Sequence, residues 1–367
     1  MSSARFVSID AFRGLTVAAM VLVNNPASWS HVFPPLRHAE WHGWTPTDLI
    51  FPFFLFIVGM SISLSYALHV AERTSRTALY LKIIKRSMFI FGLGLFLHLF
   101  PGFHFGSLRI PGVLQRIAVC FLIGAFLFLN LKPKSRIVLS MVLLVGYWAL
   151  LTFVPVPGHG PGILTPEGNL PGHVDTWLLS GHLYRPEFDP EGLLSTLPAI
   201  VTLLLGTLAG DWLRTPRTIV RKSLGIFIVG LPLTVIGLLL DPIFPINKAL
   251  WTSSYVLLTG GLALLVFGVC FVLIEGFQWK RWAGPFLALG SNAIAVYVGS
   301  SLMGNLLLSL GVSDGGTIVT PVAYLYLHVL SPVAGPTWGS LIYPILLVGL
   351  WIGLMTPFYK HKLFLKV

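Results

Sequence analysis

The sequence predicts an all-α integral membrane protein: a helical bundle of about ten transmembrane helices, eleven if one ambiguous region crosses, with both termini cytoplasmic. Composition carries the first step. Hydrophobic residues make up 55% of the 367 and charged ones only 10%, with a mean hydropathy of +0.83, well outside the balance of a water-soluble domain. Backbone physics carries the second, because hydrocarbon offers no partner to an unpaired N–H or C=O and only helices or closed barrels cross it. The apolar runs last about 20 residues without the alternation of barrel strands, so the spans are helices. Lys and Arg set the orientation. With the termini inside, eighteen, Arg5, Arg73 and Lys366 among them, fall on the cytoplasmic side, while Arg37, Arg109, Arg185 and Lys248 fall outside.

The first span, roughly 10–27, contains Asp10 and Arg13 and so reads as an uncleaved anchor rather than a signal peptide. The second, 46–68, opens on Thr45-Pro46-Thr47-Asp48: an N-cap, a proline at the first helical position and an acidic third residue, close to a capping box. Spans at 87–103, 112–131 and 137–154 lead to a Pro- and Gly-rich outer loop, 155–192. Its closing "FDPEG" is expected to cap the sixth span, 193–210, with Asp189 ahead of Pro190. Spans at 223–240, 255–274, 284–303 and 340–357 complete the set. Between the last two, 304–339 is apolar but interrupted by "SDGGT" and "SPVAGP", and reads as a re-entrant segment or an extra span. The chain forms one domain, without short-period repeats.

Several function classes drop out. The net charge of +11 is the positive-inside rule at work, so no nucleic-acid partner is expected. Cys120 and Cys270 sit in apolar spans as small core residues. His159, His173 and His182 in the long loop are spaced unlike metal ligands, and no metal is expected.

Polar groups within the bilayer are costly and mark function. At about 100° per residue, Asp10, Arg13 and Asn24 fall within about 60° of one another, a polar stripe roughly 20 Å long on the first helix. The plain alternative is an Asp10–Arg13 ion pair with Asn24 bonding a neighbouring helix. In "RHAEWHGWTPTD", Asp48 reads as a cap, while Trp41 and Trp44 anchor the turn at the interface. His38 lies in a tight outer hairpin that returns next to Asn24, where an imidazole is a candidate acid or base.

"SIDAFRG", "VNN", "RHAEWHGWTPTDLIFPFFLFIVG", "IPGVLQRIAV", "DPEGLLSTLPAIVTLLLG", "FPINKALWTSSYVLLTGG" and "GSNAIAVYVG" occur in order. This series resembles the transmembrane acetyltransferase family of lysosomal heparan-alpha-glucosaminide N-acetyltransferase and its bacterial relatives, from residue 8 to about 300. The resemblance starts at residue 8, and the long extracytoplasmic domain that precedes the first motif in the animal enzyme is not part of what it leads one to expect here. The resemblance implies a bacterial inner-membrane enzyme, a homodimer, taking acetyl from cytosolic acetyl-CoA to a glucosamine amino group on the far side. Carried over by position, it implies His38 as the catalytic histidine and Asn24 as its partner. The chemistry agrees: a thioester attacked by an amine needs a base and an oxyanion donor, and on this resemblance His38 would be that base or a transient acetyl carrier and Asn24 the donor.

The CoA end would lie inside, with Asp10, Arg13 and Asn292 as its candidates; Asn292 otherwise serves as interhelical glue. Acceptor candidates are Asp48, Gln115, Arg116, Asn247 and Lys248, although Arg116 can equally snorkel or pair with Asp48. The competing reading is an amino-sugar permease, for example for N-acetylglucosamine, whose helices break near the midplane.

Overall fold

The computed structural model describes residues 6–71 and 75–364; Arg5, Arg73 and Lys366 of the charge asymmetry lie outside them. The helices are α1 (Val7–Asn24), α2 (Ile50–Ala71), α3 (Arg76–Leu99), α4 (Val113–Asn130), α5 (Pro133–Phe153), α6 (Leu170–Leu179), α7 (Thr196–Arg214), α8 (Ile219–Leu239) and α9 (Ser253–Phe271). After them come α10 (Gly284–Ser291), α11 (Ala293–Ser309), α12 (Pro321–Leu325), α13 (Ser331–Ala334) and α14 (Pro336–Lys360). The strands β1 (Val312–Asp314) and β2 (Thr317–Val319) form a small antiparallel hairpin with Val312 opposite Val319.

Among the described residues eight helices are long and apolar enough to cross a membrane, and α10 with α11 makes a ninth if counted as one bent span. Helix α3 is also long, at 24 residues, but Lys82, Lys85 and Arg86 interrupt its apolar character. Over their most apolar 18 residues, helices α5, α8 and α14 bury only 22% and form the periphery, whereas α1, α2, α7 and α9 bury 61–67% and form the centre.

The loops sort to two ends. At one, the 25–45, 100–112, 154–195, 240–252 and 310–335 connections knit together, through Gly43 N donating to Ile246 O (2.7 Å), Ile110 N to His182 O (2.9 Å) and the 3.0 Å contact of His31 Nδ1 with Tyr326 Oη. At the other lie the two ends of the described chain. There Glu275, beyond α9, accepts hydrogen bonds from Ser8 N and Oγ at 3.1 and 3.2 Å. That carboxylate satisfies first-turn groups of α1, which carries no side-chain cap of its own.

Three sequence expectations change. The 284–303 span is broken, not continuous. Asn292 leaves helical geometry (φ −127°, ψ 39°), and α10 and α11 diverge by 71°. "FDPEG" does not cap the sixth span, because α7 begins only at Thr196 and Asp189 is drawn into an ion pair with Arg109 at 2.7 Å. Trp41 anchors the hairpin to protein: its indole N–H donates to Leu164 O at 2.7 Å and its ring packs edge-on against Phe188 at 5.0 Å. By contrast, the Thr45–Asp48 capping box is formed in full.

Helix α10 is held tightly against α1. A Cβ on Gly14 would stand 1.8 Å from Phe286 O, and one on Gly290 only 2.0 Å from Asp10 O, so the two backbones touch at glycine as small-residue membrane interfaces do. This contact sets the break at Asn292 beside the first turns of α1.

Candidate active site

A cavity of about 540 Å³ runs between the two ends of the bundle, walled by α1, α2, α3, α4 and the α10–α11 break. From α1 it takes Arg13, Met20, Val23 and Asn24, so the polar face read from the sequence is the face turned to the cavity. Arg13 and Asn24 stand about 16 Å apart along the axis at 1.5 Å per residue.

The terminus end of the cavity is cationic. Arg13, Lys82 and Arg86 line it, the last two one turn apart on α3 and therefore on one face. Arg13 Nη1 donates to Asp10 Oδ1 at 2.8 Å and to Gly290 O at 3.3 Å, and Nη2 donates to Ser61 Oγ at 2.8 Å. The ion pair with Asp10 thus exists and orients a guanidinium that remains on the wall. Ser291, Asn292 and Ala293 line the same region, which presents the N-terminal end of α11, a place where backbone N–H groups favour anions. Asn292 Nδ2 also donates to Leu363 O at 3.3 Å.

The opposite end holds Asn24, His38, Glu191 and Lys248. His38 Nδ1 lies 2.7 Å from Asp48 Oδ1, and Lys248 Nζ lies 3.0 Å from the same ring nitrogen and 3.3 Å from Asp48 Oδ1. A carboxylate only accepts and an ammonium only donates. The shorter contact therefore assigns the proton to Nδ1, donated to Asp48, and leaves the Nε2 lone pair free. The other oxygen of Asp48 accepts from Ala39 N and Thr45 N at 3.0 Å each, and from Thr45 Oγ1 at 3.2 Å. Asp48 is thus both the helix cap and the group that orients His38. Burial lowers the pKa of the Lys248 ammonium against the opposing charges of Asp48 and Glu191.

Not every expected residue reaches the wall. Asp48 and Asn247 stand behind it: Asn247 Nδ2 donates to Trp41 O at 2.9 Å and clamps the hairpin. Gln115 and Arg116 are buried in α4. Arg116 Nη2 donates to Gly192 O at 2.9 Å and its guanidinium stacks on Trp251 at 5.1 Å, so it fixes the segment carrying Glu191 instead of facing the cavity. His42 lies off the wall, 3.4 Å from Asn247 Nδ2.

Sequence reasoning missed Lys82, Arg86 and Glu191 as wall residues. The first two read as ordinary positive-inside charges, although their four-residue spacing could have marked a common face. Glu191 read as one of many loop carboxylates. Among the described residues no cluster of three or more His, Cys, Asp or Glu is arranged to hold a metal ion.

Residues 5–240 match the family model described as "Heparan-alpha-glucosaminide N-acetyltransferase, catalytic". The chain is 33% identical over 359 residues to the heparan-alpha-glucosaminide N-acetyltransferase of Homo sapiens, covering 82% of this chain and 53% of that protein. Against the Mus musculus protein of the same name it is 32% identical over 362 residues, covering 83% and 54%. The chain spans about half the length of these relatives. Arg13, Asn24, His38, Arg86 and Glu191 fall inside the matched stretch, and Lys248 and Asn292 beyond it.

Proposed function

Because the chain belongs to the heparan-alpha-glucosaminide N-acetyltransferase catalytic family, we propose that it transfers acetyl from cytosolic acetyl-CoA to a glucosamine-type amino group on the extracytoplasmic side. The observation that carries this reading is one continuous cavity with Arg13, Lys82 and Arg86 at one end and Asn24 and His38 at the other. CoA phosphates take the cationic end and the α11 N-terminus, and the pantetheine arm extends along α1 to bring the thioester to His38.

His38 Nε2 removes an N–H proton as the amine attacks the thioester carbonyl, and the Asn24 side-chain amide donates to the oxyanion. Collapse expels the CoA thiolate, which takes the proton back from His38. Amine and acetyl-CoA thereby become acetamide and CoA thiol, with no proton left over. Asp48 offsets the positive charge that forms on the imidazole, while Lys248 opposes it. Transient acetylation of Nε2 would use the same tautomer.

In this reading α3 also crosses, which makes ten crossings, and the loop-rich end faces away from the cytoplasm of a bacterial inner membrane. The positive-inside bias supports it, since Lys132, Lys134, Arg217, Lys280 and Arg281 connect helices at the terminus end. Residues 321–334 stay outside: this 14-residue stretch reaches only about 21 Å at 1.5 Å per residue, against about 30 Å of hydrocarbon.

The α10–α11 break is a permease-like feature, but it lies beside the first turns of α1 and not at the midplane. Purified protein given acetyl-CoA and glucosamine should release CoA thiol. His38→Ala should slow that release about 100-fold or more, the scale of a lost base, while His42→Ala changes it by less than about 3-fold. Equal losses for the two histidines, or no release from the intact protein, would overturn the proposal.

A further inference from the structure

The wall of the cavity carries four cationic side chains, Arg13, Lys82, Arg86 and Lys248, and among the described residues a single carboxylate, Glu191. Its surroundings are constructed to hold it there. Arg109 is gripped by both oxygens of Asp189, Nε to Oδ2 at 2.8 Å and Nη2 to Oδ1 at 2.7 Å, and the same Nη2 donates to Glu191 Oε2 at 2.5 Å. Asp189 Oδ1 also accepts from Glu191 N at 2.9 Å. Immediately after it, Gly192 O accepts from Arg116, and a Cβ at Gly192 would stand 1.8 Å from Asp175 Oδ2. The "DPEG" turn is therefore pinned from three sides.

Arg109 neutralises one of its two carboxylate partners, so the group keeps one surplus negative charge. The Glu191 side chain is only 10% exposed, and among the described residues its Oε1 takes no hydrogen bond. Asp48 has no comparable vacancy, since both its oxygens are occupied by His38, Lys248, Ala39 and Thr45. A cation entering the loop-rich end thus meets one open carboxylate oxygen, beside the Lys248 whose charge Glu191 already feels.

We propose that Glu191 binds the acceptor through its ammonium group, so that the site selects a cationic amino sugar over a neutral sugar of the same size. This rests on the acetyl-transfer reading for its consequence. The bound ammonium gives one proton to Glu191 and on to outer water, and the freed amine attacks. The balance is R–NH3+ plus CH3CO–S–CoA giving R–NH–COCH3, HS–CoA and H+.

The test separates binding from turnover. Calorimetry on CoA-loaded protein should show glucosamine binding about 10-fold or more tighter than glucose, the scale of one charge-assisted hydrogen bond. In Glu191→Gln, which keeps an oxygen for Arg109, that preference should vanish while the Kd for CoA stays within about 2-fold; Glu191→Asp should restore part of it. In turnover, Glu191→Gln should raise the glucosamine KM at least as much and leave inhibition by neutral N-acetylglucosamine unchanged. No preference in the intact protein, or the same preference in Glu191→Gln, would overturn the assignment. A preference that disappears in Glu191→Gln, with no acetylation by intact protein, would support this assignment and reject the acetyl-transfer reading alone.

Discussion

Replacing Asp48 with Asn tests whether the cap is also the tautomer switch of His38. The carboxylate faces two sets of donors: His38 Nδ1 at 2.7 Å on one oxygen, and Ala39 N and Thr45 N at 3.0 Å on the other. An amide has one acceptor and one donor end. Two backbone N–H groups outweigh one imidazole, so the Asn oxygen keeps the capping side and its NH2 turns to His38. The amide then donates to Nδ1, the imidazole proton moves to Nε2, and the base is lost. Losing a positioned general base slows a reaction by about 10²–10⁴-fold, and at about 1.36 kcal/mol per decade the lower end is about 2.7 kcal/mol of transition-state stabilisation. The cap survives, but the buried Lys248 ammonium loses its Asp48 counter-charge, a cost of up to about 3–5 kcal/mol for a buried pair broken at one partner, so turnover is compared on protein shown to be folded. The assay pairs acetyl transfer to glucosamine with acetyl-CoA binding. The expectation is a fall of about 100-fold or more in kcat, with the acetyl-CoA Kd within about 2-fold. Adding Asp48→Asn to His38→Ala should have little further effect, as coupled residues do. A turnover change under about 3-fold in folded Asp48→Asn, or full additivity with His38→Ala, would refute the tautomer argument.

At the cationic end, Arg13→Ala and Arg86→Ala should each weaken acetyl-CoA binding by about 10–100-fold, one charge-assisted contact, without changing glucosamine affinity. Unchanged acetyl-CoA Kd in both would reduce Arg13 to its Asp10 pair and Arg86 to its stack on Phe121. Asp175, fully buried in α6, has its pKa pushed up by burial from 3.8 to about 6. The folded state therefore holds that proton more tightly than the unfolded chain, which adds stability below about pH 4 that is lost as pH rises through about 6. The shift bounds the effect at about 3 kcal/mol, so Tm in detergent should fall between pH 5 and 7.5, and more so than in Asp175→Asn; parallel pH slopes would contradict this. For topology, Glu167→Cys is an exposed probe in the long outer loop, to be made after replacing Cys120 and Cys270. It should react only with reagent on the extracytoplasmic face, and labelling from the cytoplasm alone would invert the orientation.

Much of the polar wall of the cavity was legible because membrane polarity is sparse. On α1, one angular calculation picks out Arg13 and Asn24, and both line the cavity. The capping box was legible because its pattern is local, but its second use, holding His38, depends on where a hairpin folds back and on Lys248 arriving from a distant loop. Residues 189–192 show the limit. "FDPEG" carries a valid N-cap signal, yet Arg109, 80 positions earlier, outcompetes the helix for Asp189, and the same long-range pairing brings Glu191 to the cavity. The kink at Asn292 was equally hidden, since an apolar run does not reveal that Gly290 must fit against the α1 backbone.

Sidedness is the most direct test of transfer through the cavity. Protein of defined orientation in sealed liposomes, with acetyl-CoA only on the cytoplasmic side and labelled glucosamine only on the other, should release CoA on the first side and acetylated sugar on the second. His38→Ala should slow both about 100-fold or more. Acetylation seen only when both substrates share one side, or labelled sugar crossing without being acetylated, would contradict transfer through the cavity.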